Sequence, residues 1–296
     1  MKTLNHVIEY TSRTDTFDLY FIGDIHLGAE ACDEKLLAKT IAEIRDNPRA
    51  KVILMGDIID GIGITGSDKR SDSRTLATWA RAALAEDADI FLAERDMAVK
   101  VLTPIAPKIV AWLSGNHETA CEKHRGFNIY ASMVDRVCEA AGRNPADIML
   151  GYEGFVRLSF RFTAPNSRGT CWQMIIYAHH GFGGGKLPGS HANNMFHLMG
   201  SYPADLHAIG HTHNMITVPR QITEAGNGKN TQSTTHTRWG IVTGSFLRAH
   251  LEPAKNGKPR NSYAQEKGLA PLPVNFPTVS VHPNSQTYDI TFRNQR

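Results

Sequence analysis

Five short stretches crowd carboxylates, imidazoles and an amide together: GDIH (Asp24, His26), GDIID (Asp57, Asp60), GNHE (Asn116, His117, Glu118), HHG (His179, His180) and GHTH (His211, His213). They offer carboxylate oxygens, imidazole nitrogens and one amide oxygen, with no thiolate. Such mixed ligation suits Mn²⁺, Fe or Zn²⁺ better than Ca²⁺ or Mg²⁺, which select oxygen shells. On an extended strand end alternate side chains point the same way, so Asp-x-His and His-x-His can each present two donors to one place. The set holds too many ligands for one ion and suits two ions sharing a bridging carboxylate. Two metals ~3.5–4 Å apart are the standard device for in-line displacement at phosphorus. Taken singly each cluster says little, because an aspartate behind a strand usually serves a turn or a helix cap. Together, each behind an apolar run, they specify a site.

Such a site needs rigid supports. DLYFI (18–22), KVILM (51–55), KIVAWL (108–113), WQMIIYA (172–178) and DLHAI (205–209) are short, apolar and rich in β-branched or aromatic residues, and they predict strands. In open α/β sheets ligands bind just outside the carboxyl ends of the strands. If these five runs are neighbouring strands, the clusters meet on one rim. Residues 33–47 repeat Leu36, Leu37, Ile41 and Ile44 at helical spacing behind a capping Asp33. A long helical stretch follows from about Thr75 to Leu102. Ser190 is placed to cap another helix, in which Ala192, Met195, Phe196 and Met199 form a packing stripe. FVRLSFRF (155–162) alternates like a half-exposed antiparallel strand. Beyond residue 213 come the short segments MITVP, RWGIVTG, TVSVH and YDITF. Residues 61–74, 252–262 and 271–277 have the composition of surface loops. With no internal repeat and no boundary, the expectation is one α/β domain over 1–296 with a β-rich C-terminal part (about 214–296).

The gross numbers exclude several classes. The chain has 296 residues, 41% hydrophobic and 21% charged, as in ordinary globular proteins. A net charge of +3 is compatible with an anionic substrate and too weak to assert nucleic acid. Cys32, Cys121, Cys138 and Cys171 are scattered without a CxxC pair, as expected of reduced thiols. No signal-peptide segment opens the chain and no run approaches the ~18 apolar residues of a membrane span, so a cytoplasmic protein without a membrane partner is expected. No protein partner is inferable.

The order DxH, GDxxD, GNH(D/E), a later His and GHxH, met in full between Asp24 and His213, resembles the calcineurin-like metallophosphoesterase superfamily. The resemblance implies a four-layer α/β/β/α sandwich, two mixed β-sheets flanked by helices, with a dinuclear site at the strand ends. It implies that Asp24, His26 and His213 hold one metal, and that Asn116, His211 and a histidine of HHG hold the other, with Asp57 bridging. Relatives with a His-Gly pair use that histidine, which favours His180 over His179. The cofactors implied are two divalent ions, Mn²⁺ first, with Fe or Zn²⁺ as alternatives. A hydroxide between them would be the nucleophile. His117 is then no ligand: it protonates the leaving oxygen, oriented by Asp60. Glu118 either orients a neighbouring histidine or serves as a helix-start carboxylate.

The departures bear on substrate. Serine/threonine protein phosphatases resemble the chain at GNHE but carry phosphate-clamping arginines where Gly61 and Ser114 stand here, which argues against that role. Candidate substrate contacts are Lys69, Arg70 and Arg74 after GDIID, Lys123, His124 and Arg125 after GNHE, and Lys186 after GFGGG, a flexible lip whose spacing is not that of a P-loop. TGSFLR (243–248) and SYAQEKGLAPLP (262–273) resemble members encoded by phages and prophages. The expected function is hydrolysis of a phosphomonoester or phosphodiester, nucleotide-like substrates included. The alternatives are an exo- or endonuclease of the same superfamily and, last, a non-catalytic scaffold, against which the intact ligand set argues. Dispersed basic residues without a stripe favour the small phosphoester over the nuclease.

Overall fold

The apolar runs are continuous because both faces of each strand are buried, and period-2 geometry divides their side chains between two cores. In a computed structural model of the chain, describing residues 1–62, 75–165, 169–183, 185, 187–226, 232–251, 265, 268 and 270–292, Leu19 and Phe21 point into one core while Tyr20 and Ile22 point into another. The strands are β1 (Lys2–Tyr10), β2 (Phe17–Ile22), β3 (Ala50–Leu54), β4 (Ile109–Leu113), β5 (Met149–Gly151), β6 (Glu153–Phe162), β7 (Cys171–His179), β8 (Leu206–Ile209), β9 (Met215–Glu224), β10 (Thr234–Thr243), β11 (Pro277–His282) and β12 (Thr287–Phe292). They form two six-stranded sheets, ordered β12-β11-β2-β3-β4-β5 and β1-β6-β7-β8-β10-β9.

The five motif-bearing strands are not all neighbours, which corrects the expectation of one adjacent set; the clusters meet from two sheets instead. β2, β3 and β4 lie side by side and parallel in the first sheet, and β7 and β8 are parallel neighbours in the second. Both sheets are mixed, since β11 runs antiparallel to β2 and β6 antiparallel to β7. Helices cover the outer faces. Leu37, Ile41 and Ile44 of α1 (Glu34–Asp46) pack on the first sheet, and Met195, Leu198 and Met199 pack on the second. Between the sheets lies the core that Leu19 and Phe21 enter, where Ile53 and Val110 of the first sheet join Leu158, Ile176 and Ala208 of the second.

Local chemistry explains where helices begin and break. Asp33 caps α1, its carboxylate accepting from Leu36 N–H at 2.9 Å. The expected helix from Thr75 to Leu102 is instead two, α2 (Thr78–Ala85) and α3 (Ile90–Leu102). Asp87 turns left-handed (φ 56°) and Asp89 caps α3 by accepting from Phe91 N–H and Leu92 N–H, so the acidic run breaks the helix. Two more helices, α4 (Asn116–Arg125) and α5 (Ile129–Ala140), complete that layer. Over the second sheet, α6 (Pro188–Ser201) starts at its proline, and Ser190 lies inside the first turn rather than capping it. Its stripe is narrower than expected: Met195 and Met199 are buried, but Phe196 is 43% exposed. The expected loops at 63–74 and 252–262 lie outside the described residues. No helix among the described residues is long and apolar enough to cross a membrane.

Trp112, fully buried in β4 three residues before Gly115, is the largest side chain of the core between the first sheet and its helices. Trp112→Ala should cost about 3–5 kcal/mol of stability in urea unfolding of the metal-free protein. A loss below about 1 kcal/mol would show that this strand does not depend on its packing.

Candidate metal centre

Backbone conformation marks the site before any side chain is considered. Asp24 (φ 47°), His26 (53°), Asp57 (49°), His211 (68°) and His213 (56°) are left-handed, a region costly for side-chain-bearing residues. Among the described non-glycine residues only Asp87 and Gln286 share it. Hydrogen bonds hold the turns. Asp24 N–H donates to Gly56 O at 3.0 Å, and Ile25 and His26 N–H both donate to Asp57 O at 2.9 and 3.1 Å. Glu118, in the first turn of α4, accepts from Asp57 N–H (3.1 Å), Ile58 N–H (2.7 Å), Ile59 N–H (3.3 Å) and Gly115 N–H (2.8 Å). It hydrogen-bonds no histidine, so of its two expected roles the helix-start reading describes its place, and the backbone is what it orders. Gly115 has no alternative residue, because a Cβ there would stand 2.0 Å from Asp57 Oδ1.

Side chains from both sheets then converge. Asp24 Oδ1 lies 3.4 Å from His213 Nε2, which faces His26 Nε2 at 3.3 Å. On the other side, His180 Nε2 lies 3.3 Å from Asp57 Oδ2 and 3.0 Å from Asn116 Oδ1. Asp24, His26 and His213 form one group with donor atoms within 4.8 Å of one another, and Asp57, His180 and His211 form a second. Asp57 Oδ2 stands between them, 4.0 Å from His26 Nε2. His26, Asp60 and His117 make a third such group.

The donors fit divalent cations. Asp24 Oδ1 and His26 Nδ1 are buried without a hydrogen bond. His180 gives its Nδ1–H to Met55 O at 2.7 Å, leaving Nε2 aimed at two oxygen acceptors. A proton on Nε2 or a cation among these atoms satisfies that arrangement. Electrostatics agree: burial works against the His180 cation, but Asp57 and then Asp24 lift its pKa to about 9. Burial likewise opposes charge on Asp57, yet His180, His117 and His26 hold its carboxyl well below the usual range.

Of the HHG pair, the structure brings His180 into the cluster and leaves His179 beside it. His179 Nδ1 accepts from Gly181 N–H at 2.7 Å, and the ring sits edge-on to Tyr152 and Phe182. Asp60 departs from its expected role. Its backbone carbonyl accepts from His117 Nδ1–H, whereas its carboxylate Oδ1 lies 3.5 Å from His26 Nδ1. Main chain and side chain of Asp60 thus serve different imidazoles. His117 N–H also donates to Asp57 Oδ1 at 2.9 Å, and its ring stands edge-on to His26.

Of the basic residues expected near substrate, only the three after GNHE are described. Lys123, His124 and Arg125 are exposed in the last turn of α4. At ~1.5 Å rise per residue that lies roughly 12 Å beyond Asn116. Arg125 instead pairs with Asp89 and covers the Phe91 ring. Lys69, Arg70, Arg74 and Lys186 lie outside the described residues. Two residues near the centre were not anticipated. Tyr152 packs edge-on against His180. Glu94 of α3 is fully buried and accepts from Gly61 N–H at 2.9 Å; burial, then the charge of Asp60, keeps its carboxyl well above the usual range. A signal for Glu94 existed, since it lies four residues from both Ile90 and Ala98 on the buried stripe of its helix.

Against known proteins, a family model described as calcineurin-like phosphoesterase matches residues 17–215. Similar solved structures include a metallophosphoesterase from Sphaerobacter thermophilus, with 13% identity over 95% of this chain and 90% of that one (TM-score 0.37). Vps29 from Chaetomium thermophilum has 11% identity over 94% of each chain (TM-score 0.36). NAD nucleotidase from Haemophilus influenzae has 12% identity over 94% of this chain and 49% of that one (TM-score 0.33). No curated protein sequence matches.

Glu118→Ala would leave several buried N–H groups without an acceptor. It should lower stability by at least about 3 kcal/mol and reduce metal content measured by elemental analysis. Parent-like stability and metal binding together would show that the Asp57 turn is held by other means.

Proposed function

Because the chain belongs to the calcineurin-like phosphoesterase family, we propose that it hydrolyses a small phosphomonoester or phosphodiester with two divalent ions sharing Asp57. The observation that carries this reading is the position of Asp57 Oδ2, 3.3 Å from His180 Nε2 and 4.0 Å from His26 Nε2, between two separate donor groups. Asp24, His26 and His213 would hold one ion, and Asn116, His180 and His211 the other. The nitrogen and oxygen donors favour Mn²⁺, with Fe or Zn²⁺ as alternatives. Such ions, when bound, lower the pKa of water and offset charge on phosphoryl oxygens.

The protein's own groups do the rest. His117 commits its Nδ1–H to the Asp60 carbonyl, so Nε2 is the atom free to hold a proton for the leaving oxygen. Buried apolar strands behind the site keep the donors fixed, which limits reorganisation as charge develops. Strands from both ends of the chain complete the sheets, β1 beside β6 and β11 beside β2, which supports one catalytic domain over 1–296. Many described arginines already face acids: Arg49 meets Asp15, Arg81 meets Glu30, and Arg95 and Arg136 meet Asp96. Among the described residues that leaves little continuous positive track for a polynucleotide, which favours a small substrate.

Exhaustive chelation should abolish phosphoester hydrolysis, with Mn²⁺ restoring it better than Ca²⁺. Asp57→Asn should lower bound metal at both positions. Full activity in chelator, or two metals per chain retained by Asp57→Asn, would overturn the shared-carboxylate reading.

His117→Asn should keep metal content near that of the parent while turnover falls by about 10²-fold or more. The loss should be larger for a phenyl ester than for a 4-nitrophenyl ester, whose leaving group needs the proton less. Equal losses would remove the proton-donor role.

A further inference from the structure

Glu94 presents a problem that packing does not answer. It sits in the middle of α3, fully buried, among Phe91, Ala98 and other apolar residues. No cation pairs with it among the described residues. Oε1 is buried without a hydrogen-bond partner, and Oε2 has Gly61 N–H at 2.9 Å. An apolar residue of similar volume would avoid the desolvation of a carboxyl group. The fold also makes room for it: a Cβ on Gly28 would stand 2.1 Å from Glu94 Oε1.

What sets this contact apart is the peptide that it engages. Gly61 N–H belongs to the peptide unit whose carbonyl is Asp60 O, and that carbonyl accepts from His117 Nδ1–H. Imidazole, peptide and carboxyl therefore stand in series. A peptide is one planar, resonance-coupled unit. A hydrogen bond at its N–H fixes its plane and strengthens its carbonyl as an acceptor.

We infer that Glu94 is a positioning residue for His117, acting through the Asp60–Gly61 peptide. It orients the peptide so that the carbonyl holds Nδ1–H and leaves Nε2 turned to the reacting group. The inference rests on the reading of His117 as proton donor. A merely structural Glu94 would support the loop without affecting how the enzyme responds to leaving groups.

The test compares Glu94→Gln, which keeps a carbonyl acceptor for Gly61 N–H, with Glu94→Met, which keeps the volume and removes the acceptor. Both are assayed with Mn²⁺ on phenyl and 4-nitrophenyl esters, beside His117→Asn. Glu94→Gln should stay within about 2-fold of the parent on both esters. Glu94→Met should lose about 10-fold more kcat on the phenyl ester than on the 4-nitrophenyl ester, part of the full contribution of a general acid, with KM and metal content unchanged. A second readout is independent of turnover. In the Zn²⁺-loaded protein, ¹⁵N NMR of the His117 ring should show a slowly exchanging Nδ1–H in the parent and in Glu94→Gln, and its loss in Glu94→Met. Should Glu94→Met fail to fold, Glu94→Asp, which withdraws the acid by one methylene, supplies the same contrast. Equal losses on both esters, or a protected Nδ1–H without the acceptor, overturns the inference. If His117→Asn itself shows no leaving-group preference, the proton-donor reading falls, and the NMR result alone decides the link to Glu94.

Discussion

The buried Glu118 carboxylate, accepting from the main chain at Asp57, Ile58, Ile59 and Gly115, is the contact on which the centre depends. A left-handed aspartate is costly, and it persists only where its surroundings over-determine it. Glu118 supplies that determination from the next strand's loop. The two loops thereby fix each other: α4 can begin at Asn116 only if its first-turn carboxylate is satisfied, and Asp57 can face the site only if its own N–H is held. The accounting continues to the end of the loop, where Asp60 N–H donates to Leu27 O and Gly61 N–H to Glu94. No backbone N–H from Asp57 to Gly61 is left to wander.

The second constraint is that the two sheets must be locked at one end. Contacts cross between them there. His211 N–H, from the loop after β8, donates to Asp24 Oδ2 at 2.9 Å, and His180 Nδ1–H donates to Met55 O at the end of β3. Ser245 Oγ and Phe246 N–H, from beyond β10, both donate to Asp24 O. A set of candidate donors split between two sheets would be imprecise if the sheets could slide. These bonds, together with the interdigitated core between the sheets, make the rim one rigid edge.

Much of this was legible in the amino-acid order, and what was not has physical causes. The motif strands were readable because burial on both faces makes them continuous apolar runs. That same property hid their partition between two sheets, since a buried strand looks alike in either. Helix α1 was readable from Asp33 and its apolar repeat. The break before α3 was not, because Asp87 and Asp89 act through side-chain and left-handed backbone chemistry that periodicity ignores. His124 was misplaced because nearness in sequence to His117 means distance in space once the segment is helical. Asp60 was assigned by its carboxylate, while its carbonyl is what meets His117, a choice between main chain and side chain that no residue type reveals.

Charge distribution ties these features together. Asp24, Asp57, Asp60, Glu94 and Glu118 are all buried within one region, and their ion-pair partners among the described residues are histidines alone. Such a collection cannot carry full negative charge in a medium of low polarity. The structure divides the burden unequally. Burial, then Asp57, raises Glu118, and burial, then Asp60, raises Glu94, so both are pushed toward the neutral form, although N–H groups surround Glu118. Asp57 is driven the other way by the imidazoles around it. The carboxyl that faces both donor groups is thus the one the surrounding imidazoles hold low, while the two supporting acids behind it are shifted the opposite way. A dication placed among those donors would compete with a proton for His180 Nε2, so metal uptake and proton binding at that atom would oppose each other.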